Sequence, residues 1–339
     1  MSLDALKKDI KSNKIKSLYL FYGQEEYLKK YYVDAIERVL LKDELKALNR
    51  ITFEGKADVK GIMDACETVP VFSERKVVIV KNSGLFKPKK KTDEDGSKFQ
   101  SNDFSGYIKA IPEHACLIFV EEEIDKRLKL VETIKTYGLM VEFGLQKPAE
   151  LVKWVVKVFR SYGKYIDTPV ASHLVDICEP GMYEILNEIN KVLLYMGNRE
   201  KVSMDDLEEV CTKSVKSRIF DLTDAIAERN GAKALRMLDE MITLKEPLPK
   251  ILIMIGRQFC HILEMKLLAE EGMSTAEAAS RLGITPYAAG KILKQAGNFA
   301  AQDLREAVRE SLEMDIAVKT GKLNDRLAAE ILIGKYSCK

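Results

Sequence analysis

Short apolar segments alternate with amphipathic ones over the first 144 residues of the chain. Between the apolar segments, stretches such as 25–41 and 56–69 carry apolar residues three and four positions apart, which is the period of a helix. Alternation of strands and helices predicts an α/β domain in which a parallel sheet has helices on both faces. Five segments have the length and the Val, Ile, Phe and Tyr content of strands, namely 17–22, 49–54, 76–81, 116–121 and 139–143.

Strand signals stop at residue 146, and helical patterns continue to the end of the chain. Pro148 stands where a first helical turn accepts proline, and Ser203 precedes acidic residues in the pattern of a helix cap. We therefore expect three domains: an α/β domain at 1–144, a small helical domain at 145–212 and an all-α domain at 213–339.

One polar segment interrupts the α/β pattern. Residues 87–103 carry blocks of like charge and no periodicity. Such blocks repel and stay solvated, so we expect an exposed insertion between a strand and the next helix.

Composition indicates an ordinary globular protein, with 46% hydrophobic and 31% charged residues among 339. A net charge of +2 provides no general attraction for nucleic acid. The N-terminus lacks the apolar core of a signal peptide and the apolar runs are short, so we expect a cytoplasmic protein without a membrane segment. The six cysteines and three histidines lack metal-ligand spacing, so no metal site is predicted.

The segment 18–30, LYLFYGQEEYLKK, places Gly23 and Lys29 in the register of a nucleotide-binding P-loop. A P-loop also needs a second glycine before the lysine and a hydroxyl after it. Leu28 and Lys30 occupy those two positions, and glutamates fill the loop where phosphate would lie. We read Gly23 and Lys29 as a degenerate P-loop and predict no nucleotide site, no cofactor and no catalytic residue.

Three consecutive carboxylates end the strand at 116–121 and continue beyond it, as in a magnesium-binding Walker B strand. They belong to Glu121, Glu122 and Glu123. A strand that simply ends at a solvated sheet edge has the same sequence. Because the chain lacks a phosphate-binding loop, the strand end is favoured over a magnesium site. An ATPase with a divergent nucleotide site stays open as an alternative.

Residues 274–296 have the pattern of a helix-turn-helix, with Gly283 at the turn. A DNA-binding regulator would direct Tyr287, Lys291 and Lys294 of the second helix at the bases. That helix also carries Ala-Ala-Gly where a reader of bases needs longer polar side chains, which favours a simple packed helix pair. The regulator is the second alternative.

Six segments occur in a characteristic order over nearly the full length of the chain, namely 18–30, 69–82, 124–134, 219–235, 251–268 and 315–333. Together they resemble the delta subunit family of the bacterial DNA polymerase III clamp loader. The insertion at 87–103 has no counterpart in the pattern expected of that family.

The resemblance implies an AAA+-like first domain that has kept the ATPase fold without the ATPase. It implies that the helical third domain joins an oligomeric collar with the motor subunits (gamma/tau) and delta-prime. The expected activity is to bind and open the sliding clamp (beta) for loading on primed DNA. No catalysis of its own is expected within the DNA polymerase III holoenzyme.

The resemblance also implies a clamp-binding element, a hydrophobic pair in the pattern [LV]-F-[AS]-x-[RK]. Here the pattern matches VFSERK, so Val71 and Phe72 are the predicted clamp contacts. A phenylalanine is more often a core residue, but this pair precedes a charged segment instead of lying within the apolar strand that follows. Its position favours an exposed turn or helix end.

Overall fold

The computed structural model describes residues 2–56, 58–87 and 104–338. Apart from Lys87, the predicted insertion at 87–103 lies outside them. Contacts between Cα atoms divide the chain into two compact units, Met1–Leu145 and Gln146–Lys339. The further division of the second unit near residue 212 stays a prediction.

The first unit is built around one five-stranded parallel sheet with the strand order β2-β3-β4-β1-β5. Each strand begins and ends within one residue of the prediction. The elements that position the site are α1 (Ser2–Lys11), β1 (Leu18–Tyr22), α2 (Glu26–Leu40), α3 (Lys46–Asn49), β2 (Arg50–Glu54), α4 (Val59–Glu67), β3 (Lys76–Lys81), β4 (Ala115–Glu121), α5 (Lys129–Tyr137) and β5 (Leu139–Glu142).

Two apolar cores lie on the two faces of this sheet. Leu18 and Leu20 of β1 belong to the core that contains residues of α4 and α5. Tyr19 and Phe21, which point the other way, belong to the core that contains residues of α1 and α2. The α/β fold with helices on both faces is therefore confirmed.

The second unit is almost entirely helical. It also contains a parallel pair of two-residue strands, β6 (Tyr165–Ile166) and β7 (Lys201–Val202). The prediction that strands stop at residue 146 is wrong at this pair, because two residues are too few to show the alternation of a strand. The helices are α6 (Pro148–Ser161), α7 (Thr168–Ile177), α8 (Met182–Met196), α9 (Met204–Val210), α10 (Val215–Ala227), α11 (Gly231–Thr243), α12 (Leu248–Glu270), α13 (Thr275–Leu282), α14 (Pro286–Gly297), α15 (Ala301–Lys319) and α16 (Asp325–Cys338).

Helix α12 is central to the core of this unit. Its buried residues Ile251, Ile255, Phe259 and Ile262 recur at helical spacing, and the same core includes residues of α10, α14, α15 and α16. No helix within the described residues is both long and apolar enough to cross a bilayer.

Candidate functional site

The predicted clamp contact and the degenerate P-loop lie at opposite edges of the parallel sheet. Residues 68–75 lead into β3 and so lie at the amino edge, whereas Gly23 follows β1 and lies at the carboxyl edge. At about 3.3 Å per residue, a strand of this length separates the edges by roughly 20 Å. The hydrophobic pair and the degenerate P-loop therefore belong to two different surfaces.

The loop at Gly23 uses its backbone amides within the protein. The Gly23 N–H donates to the Glu122 carbonyl (3.1 Å), and the Glu25 N–H donates to the Phe143 carbonyl (2.9 Å). Gly23 has a φ of 120°, and a Cβ there would lie 2.3 Å from the Phe143 carbonyl oxygen. Glycine is needed here for close packing on a neighbouring backbone, and these amides do not converge on a phosphate as those of a P-loop do.

Lys29 also has an internal role. Only 1% of the residue is exposed. Its amino group donates to the Glu121 carbonyl (2.9 Å) and pairs with the Glu26 carboxylate (2.6 Å). The lysine at the P-loop position therefore links the start of α2 to the end of β4.

The carboxylate of Glu121 points into the fold. One of its oxygens accepts hydrogen bonds from the Ser83 N–H (2.8 Å) and the Ser83 hydroxyl (2.6 Å). Burial raises the pKa of this carboxyl, and the two Ser83 bonds oppose the increase. Glu121 is the first of the three carboxylates that resemble the end of a Walker B strand. Its side chain joins the loop after β3 to the end of β4.

The helix-turn-helix pattern corresponds to a real helix pair, since Gly283 adopts a left-handed conformation between α13 and α14. The second helix is packed within its own unit. The Tyr287 ring lies edge-on to His173 at 5.2 Å, and the Lys291 amino group lies over the rings of Tyr287 (5.1 Å) and Phe220 (5.8 Å). Two of the three predicted base-reading side chains thus have partners inside the protein.

The loop at 68–75 exposes its apolar side chains. Phe72 is 89% exposed, Val69 73% and Val71 42%. Phe72 also has a φ of 52°, in the left-handed region that residues other than glycine rarely adopt. Uncommon backbone conformations of this kind cluster at binding sites. We call Val71 and Phe72 the tip of this loop.

The residues that follow the tip are firmly anchored. The Arg75 guanidinium donates to the carbonyls of Ile15 (2.6 Å) and Ala115 (3.3 Å), and the Lys76 amino group donates to the carbonyl of Thr68 (3.2 Å). Burial lowers the pKa of Lys76. These bonds fix the loop on the segment before β1, on β4 and on its own first residue.

Asn49 contacts the backbone of Val71 in the tip. Its side chain accepts a hydrogen bond from the Val71 N–H (2.7 Å) and donates one to the Val71 carbonyl (2.8 Å). Sequence reasoning missed Asn49, because its partner lies 22 residues away and no local motif links the two positions.

Comparison with known proteins identifies the family. Residues 19–144 match the model of the "DNA polymerase III, delta subunit" family, and residues 216–336 match the model of its C-terminal domain. The chain belongs to the DNA polymerase III delta subunit family. The resemblance seen in the sequence is therefore confirmed.

Proteins of the delta family align with this chain over most of its length and of their own. The "DNA polymerase III subunit delta" of Bacillus subtilis is 29% identical over 333 residues, which is 96% of this chain and 94% of the relative. The "Probable DNA polymerase III subunit delta" of Aquifex aeolicus is 21% identical over 278 residues, or 79% and 75% of the two chains. The solved structure of the "Bacillus subtilis DNA clamp loader delta protein (YqeN)" matches with a TM-score of 0.52 and 27% identity, over 100% of both chains.

Membership of the delta family does not assign a role to single residues. Val71 and Phe72 lie within the first matched segment, on the exposed loop. Their contact with a clamp stays a prediction.

Proposed function

We propose that this chain is the clamp-loader subunit that binds the ring-shaped sliding clamp and opens it for loading on primed DNA. Relatives named as delta subunits, one of them titled a DNA clamp loader delta protein, support this function. The observation that carries it is the 89% exposure of Phe72 on an anchored loop. The proposed partners are the clamp, the gamma/tau motor subunits, delta-prime and, in the assembled loader, primed DNA in the cytoplasm.

Phe72 has the properties of an interface anchor. Nearly all of its side chain is accessible, and Val71 beside it is 42% exposed. Burying a phenylalanine and the free part of a valine contributes about 3 kcal/mol. A few aromatic anchors of this kind carry most of the energy of many protein interfaces.

Opening of the ring requires differential binding. A ligand shifts a conformational equilibrium only by the difference between its affinities for the two states. In this proposal Val71 and Phe72 hold the clamp, and the surface around them fits the opened ring better than the closed one. Motor subunits that bind ATP would expose or cover this surface.

The proposed subunit does not hydrolyse ATP itself. Support comes from Gly23 and Lys29, whose backbone amide and amino group donate to carbonyls of Glu122 and Glu121. A working P-loop directs such donors at phosphate. The energy of ATP would therefore enter the loader through its other subunits.

The test is a Val71→Ala, Phe72→Ala double variant of the full chain. Losing about 3 kcal/mol corresponds to roughly 100-fold weaker binding of the sliding clamp, measured by surface plasmon resonance without ATP. The variant should still assemble with the other loader subunits. Leu194→Ala removes a similarly exposed side chain (84%) from the second unit and should leave clamp affinity unchanged. Undiminished clamp binding by the double variant would show that these residues are not the clamp contact.

A further inference from the structure

We infer that Asn49 is a positioning residue that holds Phe72 ready for the clamp before the clamp arrives. The inference rests on the proposed function, since it concerns the same tip. It adds a residue that makes no contact with the clamp itself, because Asn49 is only 1% exposed.

The hydrogen bonds of Asn49 suit an asparagine side chain. Its amide oxygen accepts from the Val71 N–H (2.7 Å), and its amide nitrogen donates to the carbonyls of Val71 (2.8 Å) and Leu45 (3.1 Å). This uses one acceptor and both donors of the amide. Aspartate would lack the donors, and alanine would leave three backbone groups of Val71 and Leu45 without these partners.

Phe72 depends on this support because of its backbone conformation. A φ of 52° is unfavourable for a residue with a Cβ and persists where the surroundings impose it. Asn49 fixes both polar backbone groups of Val71, immediately before Phe72. After it, the Ser73 hydroxyl donates to the Arg75 carbonyl (3.0 Å), and Arg75 is itself anchored. Phe72 therefore turns outward between two fixed points.

Asn49 is held in place by ion pairs on both sides of it. The buried carboxylate of Glu37 in α2 pairs with Lys46 (2.6 Å) and with Arg50 (2.5 Å). These two residues flank Asn49 at the start of α3 and of β2. The support of the tip thus extends from Val71 through Asn49 to α2.

Loss of this support should weaken clamp binding, because a smaller fraction of the free protein would have its loop in the binding conformation. The apparent Kd rises in inverse proportion to the fraction of free protein whose loop is already in the binding conformation. If Asn49→Ala lowers that fraction to about one tenth, the apparent Kd rises about tenfold. The effect requires Phe72 to be the residue that is being positioned.

The experiment measures the Kd of the full chain for its sliding clamp in a double-mutant cycle of Asn49→Ala and Phe72→Ala. Hydrogen exchange at residues 69–75 is followed in parallel. We expect Asn49→Ala to raise the Kd about tenfold with Phe72 present and to have little effect in the Phe72→Ala background. Exchange in the loop should accelerate. Asn49→Asp keeps the size and the acceptor, and should show the same coupling if the alanine variant folds poorly.

Ser83→Ala is the matched control. It removes a buried hydroxyl bonded to Glu121 in the same unit, at the opposite edge of the sheet, and should lower stability without changing the Kd. If Phe72→Ala weakens binding but both Asn49 variants bind normally, the positioning role is wrong and the proposed function stands. If Phe72→Ala binds normally, the proposed clamp contact fails first. Equal Asn49 effects with and without Phe72 would indicate general destabilisation and would also overturn the inference.

Discussion

Replacing Lys29 with methionine tests whether the lysine in the P-loop register is structural or binds nucleotide. The change removes the amino group that donates to the Glu121 carbonyl (2.9 Å) and pairs with Glu26 (2.6 Å). Methionine keeps an unbranched apolar chain in the site, so a cavity contributes little. The variant therefore isolates the two polar contacts.

The expected loss of stability follows from the burial of each contact. A buried hydrogen bond from a charged donor contributes about 1.5–3 kcal/mol. The Glu26 side chain is 59% exposed, so solvent screens the ion pair, and its contribution is about 0–1 kcal/mol. We expect Lys29→Met to lower the free energy of unfolding by about 2–3 kcal/mol. Lys30→Met changes the adjacent, exposed lysine and should cost less than about 0.5 kcal/mol.

Thermal unfolding of the full chain, with and without Mg·ATP, measures both the change in stability and the binding of nucleotide. A ligand at 100 times its Kd stabilises the folded state by about 2.7 kcal/mol. We expect ATP to leave the unfolding of the wild-type chain and of both variants unchanged. If ATP stabilises the wild type but not Lys29→Met, Lys29 binds nucleotide and the structural interpretation is refuted.

Two further variants test packing and a buried charge. Gly23→Ala places a Cβ 2.3 Å from the Phe143 carbonyl oxygen and should destabilise by about 3 kcal/mol or more in urea unfolding, whereas Gly106→Ala, which meets nothing within 4 Å, should be nearly neutral. Burial raises the pKa of Asp176 from 3.8 to about 6. Between these two pH values the folded state keeps a proton that the unfolded state loses. The free energy of unfolding therefore falls as pH rises through this window, by at most about 3 kcal/mol. Asp176→Asn should therefore melt at a higher temperature than the wild type at pH 8 and equally at pH 4; a constant difference would contradict the assignment.

The sequence by itself determined the elements of the first unit. Apolar strands such as 76–81 and helices such as 25–41 carry their own periodicity, and their alternation predicts a parallel sheet covered on both faces. The resemblance to the delta family, visible over nearly the full length, predicted the family that the comparisons show. The failure of the P-loop pattern at Leu28 and Lys30 was also readable, because that motif requires particular residues at fixed spacing.

Only the tertiary structure decided how single side chains are used. Phenylalanine is a residue type that is usually found in the core. The 89% exposure of Phe72 follows from where its loop is anchored. Lys29 donates to a carbonyl 92 residues away, and Asn49 binds a backbone 22 residues away. A pattern along the chain reports local periodicity, whereas these contacts depend on which segments the folded sheet brings together. For this reason the fold of this protein follows from its sequence, and the support of its candidate binding tip is visible only in three dimensions.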